Sequence, residues 1–125
     1  MQYKKNKMIL IVDDSYLIIE RLTDMLNELE QVDSISHAFT VTAALEILEQ
    51  TTPDIILLDI NLPDTSGIEL LRIVKEKYPS ITVAMLTNNA NDYYRQLCLK
   101  LGADHFVDKS KDFDMIPDII TALEA

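Results

Sequence analysis

The chain has 125 residues, 48 % hydrophobic and 26 % charged, and its 21 acidic against 11 basic residues leave a net charge of −10. That length fits one domain with a sizeable core. The acidic balance argues against unaided binding to nucleic acid or an anionic membrane, and suits a divalent cation or a basic partner surface. The single Cys98 excludes an intramolecular disulfide, consistent with a reducing compartment. Set among Leu97, Leu99 and Leu101, it reads as a small buried hydrophobe.

Residues 1–7, "MQYKKNK", read as a solvated basic tail, with one domain over 8–125. The apolar "MILIV" that follows is too short for a secretory leader, and no run approaches the ~18 residues of a membrane span. The expected location is the cytoplasm.

Five strand–helix units follow in order. "MILIV" (8–12) reads as a strand, followed by a helix with Ser15 as N-cap and Ile18, Leu22, Met25 and Leu29 as its apolar stripe. "SISHAF" (34–39) precedes a helix with Val41, Ala44, Leu45 and Leu48 on one face. "DIILLD" (54–59) is apolar at every central position, as in a strand covered on both faces. The helix after it starts at Ser66, which has capping-box spacing to Glu69. "ITVAMLT" (81–87) precedes a helix that ends at Gly102. Tyr93 and Tyr94 open that helix, one expected to pack and the other to face a partner. "ADHFV" (103–107) precedes a helix with Ile116, Ile119, Ile120 and Leu123 at helical spacing. Asp114 is its expected N-cap, which places Pro117 in the opening turn.

Strands alternating with helices imply a parallel sheet covered on both faces by right-handed crossovers. Five units predict an α/β, doubly wound, five-stranded parallel sheet of order 2-1-3-4-5 with five helices, the flavodoxin-like arrangement. Ligands of such sheets bind at the carboxyl ends of the strands, at the switch point between strands 1 and 3. Asp13 and Asp14 stand at the end of strand 1, Asp59 at strand 3, Thr87 at strand 4 and Lys109 just past strand 5, whereas strand 2 ends apolar at Phe39.

Three carboxylates in one pocket repel, and at least one stays protonated unless a cation intervenes. Mg²⁺ resolves this: it takes oxygen ligands from one or two carboxylates and completes its shell with water and phosphate. Lys109 suits a phosphate or carboxylate oxygen, and the Thr87 hydroxyl can donate to another. Phosphoryl transfer needs little beyond positioning and charge neutralisation, and an Asp carboxylate can be the nucleophile. Taken singly, Thr87 is a strand-end residue and Lys109 a surface charge; the topology promotes both. His37 and His105 lie far apart in the chain and read as structural or surface residues.

The blocks "ILIVDDS", "IILLDINLPDTSGIELL", "AMLTNNA" and "GADHFVDKS" together resemble the response-regulator receiver domains (CheY-like) of two-component signalling, in order over nearly the whole chain. The resemblance implies that Asp59 accepts a phosphoryl group from a histidine kinase or histidine phosphotransfer protein. It also implies that Asp14, Asp59 and the Asn61 backbone carbonyl ligate Mg²⁺, with Asp13 acting through water. Thr87 and Lys109 would hold phosphate oxygens, and Phe106 would be the aromatic switch that follows Thr87. Asn61 and Asn89 would flank the phosphoryl group and tune its hydrolysis. The face made by helix 4, strand 5 and helix 5 would then be read by a downstream effector protein or domain.

Ser110 follows Lys109 where the family usually has proline on a cis peptide. A cis bond before a non-proline residue costs roughly 2.5–4 kcal/mol, which favours a trans loop. Phe106 lacks the hydroxyl of the Tyr common at that position. Two rivals remain: a phosphatase working through an aspartyl phosphate, disfavoured by Asn61 where a second Asp would act as acid, and a degenerate receiver serving as an interaction module, disfavoured by the intact polar set.

Overall fold

Apolar runs and helix-period segments alternate along the chain, and the computed structural model, which describes residues 6–88 and 90–123, turns that alternation into a layered sheet. The strands are β1 Lys7–Val12, β2 Val32–Ala38, β3 Ile55–Asp59, β4 Thr82–Thr87 and β5 His105–Asp108. The helices are α1 Tyr16–Leu26, α2 Val41–Leu48, α3 Gly67–Lys77, α4 Asp92–Lys100 and α5 Ile116–Thr121, the last entered through a 3-10 turn at Phe113–Met115. All strand pairings are parallel, as the alternation requires, and the order is β2-β1-β3-β4-β5, as expected.

Both faces of β3 are buried, which explains its unbroken apolar run. Ile56 and Leu58 join Leu10, Val12, Val83 and Met85 beneath α2, α3 and α4. Ile55 and Leu57 join Ile9, Ile11, Ala84 and Leu86 beneath α1 and α5. Full burial of each such side chain contributes about 1.5–3 kcal/mol. Cys98 is among the buried residues of the first layer, as its leucine-rich setting suggests. Of the two tyrosines opening α4, Tyr94 packs against this core and Tyr93 is 71 % exposed.

Several local expectations are corrected. Lys7, assigned to the tail, is the first residue of β1 and is buried; residues 1–5 of that tail lie outside the described residues. β2 starts two residues early and stops at Ala38, so Phe39 lies beyond the strand, in edge contact with the His37 ring. On α1 the buried stripe is Ile19, Leu22 and Leu26, with Ile18 and Met25 at its margin and Leu29 past the helix end. Ser15 caps α1 by accepting from the Ile18 amide at 3.3 Å. Ser66 caps α3 by accepting from the Ile68 amide rather than that of Glu69. Asp114 does not cap α5: it lies inside the 3-10 turn, where Phe113 is buried, and Met115 takes the cap position. Pro117 still falls in the opening turn, where its missing N–H costs nothing. Gly102, at φ +106°, ends the α4 segment in the backbone region that favours glycine.

Candidate functional site

Parallel strands point one way, and the register Val12↔Leu58, Asp59↔Leu86 and Thr87↔Asp108 brings the ends of β1, β3, β4 and β5 to one rim. Asp13 continues β1 by one residue, its amide donating to the Ala38 carbonyl at 3.1 Å. The carboxylates of Asp13, Asp14 and Asp59 each place an oxygen within 4.8 Å of the others. Asp13 and Asp59 are buried and Asp14 is exposed at the mouth.

The Lys109 ammonium reaches into this group from beyond β5. It lies 2.5 Å from Asp13 Oδ2 and 3.5 Å from Asp59 Oδ1, and its side chain is 5 % exposed. Asp13 is further fixed by the Ser15 amide, which donates to its Oδ1 at 2.8 Å. Thr87 is buried at the end of β4, and its carbonyl accepts from the Lys109 amide at 2.9 Å. The hydroxyl and ammonium positions are thus tied through main chain before any ligand is considered.

Ser110 does not displace Lys109. No cis peptide occurs among the described residues, and the turn is held by Asp108, whose Oδ1 accepts from the Ser110 amide at 2.9 Å and from its hydroxyl at 2.7 Å. Those bonds hold the Asp108 carboxyl below its ordinary range. Phe106 is buried, with the Arg95 guanidinium of α4 lying 4.8 Å from its ring centroid.

Burial pushes the Asp59 carboxyl up to about 6; Lys109 opposes the rise and the Asp13 carboxylate adds to it. The Asn61 amide donates to Asp59 Oδ1 at 3.4 Å, a further pull downward. Three carboxylates against one ammonium leave the pocket with uncompensated negative charge, and an all-oxygen donor set suits a hard divalent cation.

Asn61 starts the loop to α3, where it bridges Ser66. The Gly67 amide donates to the Ile60 carbonyl at 2.7 Å. A β-carbon on Gly67 would collide with the Asp59 carbonyl oxygen, so glycine lets α3 begin flush against the end of β3. Asn89 lies outside the described residues.

The structure therefore assembles Asp13, Asp14, Asp59 and Lys109 directly, with Thr87 and Asn61 on the adjoining rim and Phe106 in the core beneath, opposite Met85. Sequence reasoning missed Asp64, in the same loop. Its Oδ1 accepts from the Val41 amide at 3.0 Å, and its Oδ2 from the Thr42 amide and hydroxyl, both at 2.9 Å. These donors hold its carboxyl down at about 2. A Pro-Asp pair in a polar loop reads only as a turn, and nothing in it names the helix start that Asp64 reaches. Arg95 was likewise missed, since a basic residue on a helix carries no sign of the ring beneath it.

A family model described as "Response regulator receiver domain" matches residues 9–121. Among curated proteins, the transcriptional regulatory protein DegU of Brevibacillus brevis is 30 % identical over 120 residues, covering 95 % of this chain and 51 % of that protein. A protein-glutamate methylesterase/protein-glutamine glutaminase of Desulfotalea psychrophila is 34 % identical over 110 residues, 86 % of this chain and 30 % of that one. The chain thus spans about half or less of these relatives. Among solved structures, a CheY-like receiver domain protein from Methanospirillum hungatei superposes with a TM-score of 0.82 at 30 % identity, covering 94 % of this chain and 93 % of that one. The BeF3-activated receiver domain of DrrB gives 0.80 at 26 % identity, over 94 % and 96 % of the two chains. With the order β2-β1-β3-β4-β5 and an acidic rim at the strand ends, the chain belongs to the response-regulator receiver-domain family.

Proposed function

We propose that Asp59 is the phosphoryl acceptor of a two-component or phosphorelay switch acting in the cytoplasm. The observation that carries this reading is the sharing of one ammonium, Lys109, between buried Asp13 and Asp59 at the mouth of β3. The donor is a histidine kinase or histidine phosphotransfer protein. An Asp59 carboxylate oxygen forms the new bond to phosphorus as the donor's N–P bond breaks, and the imidazole leaves with that electron pair. Asp14 and Asp59, with the Asn61 carbonyl, would hold Mg²⁺ directly and Asp13 through water. When bound, the ion neutralises charge on the transferring group. Lys109 pairs with a phosphoryl oxygen and Thr87 donates to another, while Asn61 flanks the group and, with Asn89, influences its hydrolysis.

Phosphorylation draws Thr87 inward, and Phe106 and the face of α4, β5 and α5 adjust with it. Tyr93 and Leu99 are exposed on α4, in position to be read by an effector protein or domain. The chain promotes its own phosphoryl transfer and loss rather than turning over an external substrate.

Incubation with Mg²⁺ and acetyl phosphate, followed by intact-mass measurement, tests this. One phosphoryl adduct on the wild type and none on Asp59→Asn is the expected result. Sustained release of phosphate from generic phosphoesters, or no adduct with metal present, overturns it.

A further inference from the structure

We propose that Asp64 is a positioning residue for the metal-binding rim, fixing the loop after β3 by bonding it to the first turn of α2. This rests on the reading of Asp59 as an acceptor served by a divalent cation.

The α2 amino terminus already has its own cap, since Thr40 Oγ1 accepts from the Ala43 amide at 3.0 Å. The Val41 and Thr42 amides are what Asp64 collects, together with the Thr42 hydroxyl. Those donors lie more than twenty residues upstream, so the bonds tie two separate segments of chain. A fourth donor, the Thr65 amide at 3.1 Å, fixes the carboxylate within its own loop.

These bonds make a continuous path from one buried carboxylate of the site to the other. Asp13 is bonded through its amide to Ala38 at the end of β2. Three residues later the chain enters α2, whose first amides hold Asp64. From Asp64 the loop returns through the Asn61↔Ser66 bridge and the Gly67 amide to Ile60, and so to Asp59. The two buried carboxylates of the site stand at the two ends of this circuit. Cutting it at Asp64 removes the loop's bonds to α2 and leaves the bridge at its base and the Leu62 packing to hold the Asn61 main chain. Groups bonded directly to metal ligands typically set metal affinity by about 10- to 100-fold, and Asp64, one step further out, acts at or below the lower end of that range.

The test uses Mg²⁺ titration of the whole chain, followed by amide NMR and by acetyl-phosphate phosphorylation. In the wild type, the Val41 and Thr42 amides should shift with the same Mg²⁺ midpoint as Asn61 and Gly67. Asp64→Ala should raise that midpoint about tenfold, abolish the response of Val41 and Thr42, and lower the rate at saturating Mg²⁺ by much less than the affinity. Asp64→Asn, which keeps one acceptor oxygen, should recover part of the loss. If Asp64→Ala does not fold, Thr42→Val removes only the hydroxyl donor and should move the midpoint the same way by a smaller factor. An unchanged midpoint in these variants, or Val41 and Thr42 amides indifferent to Mg²⁺ in the wild type, overturns the positioning role. A wild type that neither binds Mg²⁺ nor accepts a phosphoryl group overturns instead the acceptor reading beneath it.

Discussion

The Lys109 ammonium is held closer to Asp13 than to the proposed acceptor Asp59, at 2.5 Å against 3.5 Å. Asp13 is the standing partner, and Asp59 keeps oxygen lone pairs available for a metal ion and for phosphorus. A buried cation between two carboxylates also stabilises the resting state. Removing one partner of a buried pair typically costs about 3–5 kcal/mol because the other charge is stranded. Lys109→Ala should therefore lose about 3 kcal/mol in urea denaturation with chelator present, and Mg²⁺ should restore part of that loss.

Asp59 is raised to about 6 from 3.8, and the sign of the resulting pH dependence is fixed. Between those values the folded state holds more protons than the unfolded, so stability of the metal-free protein falls as pH rises through that window. Above pH 6 the ionised group is a full cost, and as pH falls below 6 the cost is relieved. Asp59→Asn should stabilise the metal-free chain at pH 7.5 by about 1–2 kcal/mol, solvent screening allowed for. That gain should shrink as pH falls toward 5. Mg²⁺ should raise the thermal midpoint of the wild type and leave that of Asp59→Asn nearly unmoved.

Gly67 leaves no room for a side chain against the carbonyl of Asp59. Gly67→Ala must push α3 away from the end of β3 or move the Asp59 main chain. Overpacking of this kind costs about 1–3 kcal/mol. The expected signature is a loss of stability in that range together with slower phosphorylation by acetyl phosphate. Normal stability and normal rate together would remove the steric argument.

Arg95 covers Phe106 from α4 and links the aromatic ring to that helix. Arg95→Ala should cost about 0.5–1 kcal/mol of stability, the usual value of such a contact near the surface. It should also sharpen exchange broadening or shift populations at the Phe106 ring in NMR, because the ring loses one wall. An unchanged ring spectrum would show that the guanidinium has no hold on it.

The layer order and the acidic rim were legible because both follow from strand direction. Once "DIILLD" is read as a central parallel strand, the residues at every strand end must meet, whatever their separation in sequence. Lys109 was legible for the same reason despite Ser110, since Asp108 braces the turn with hydrogen bonds where the expected proline would have braced it by ring closure. The α1 stripe came out one position away because Ile18 and Ile19 are equally apolar, and which of them is buried is decided by the core shared with β1, β3 and α5. Asp114 looked like a cap because an acidic residue before an apolar run usually is one, but burial of Phe113 winds the chain earlier. Asp64 was invisible because a bond from a loop carboxylate to a distant helix start has no periodicity to announce it.

β3 is laddered on both edges, to β1 and to β4. The proposed acceptor oxygen is therefore carried on an interior strand, with two rows of hydrogen bonds resisting any retreat. On the proposed reading, incoming charge is answered at the periphery, by Thr87 at the end of β4, the aromatic ring on the outermost strand, and α4 beside it. An interior anvil of this kind converts a local chemical event into motion at the periphery, where another molecule can feel it.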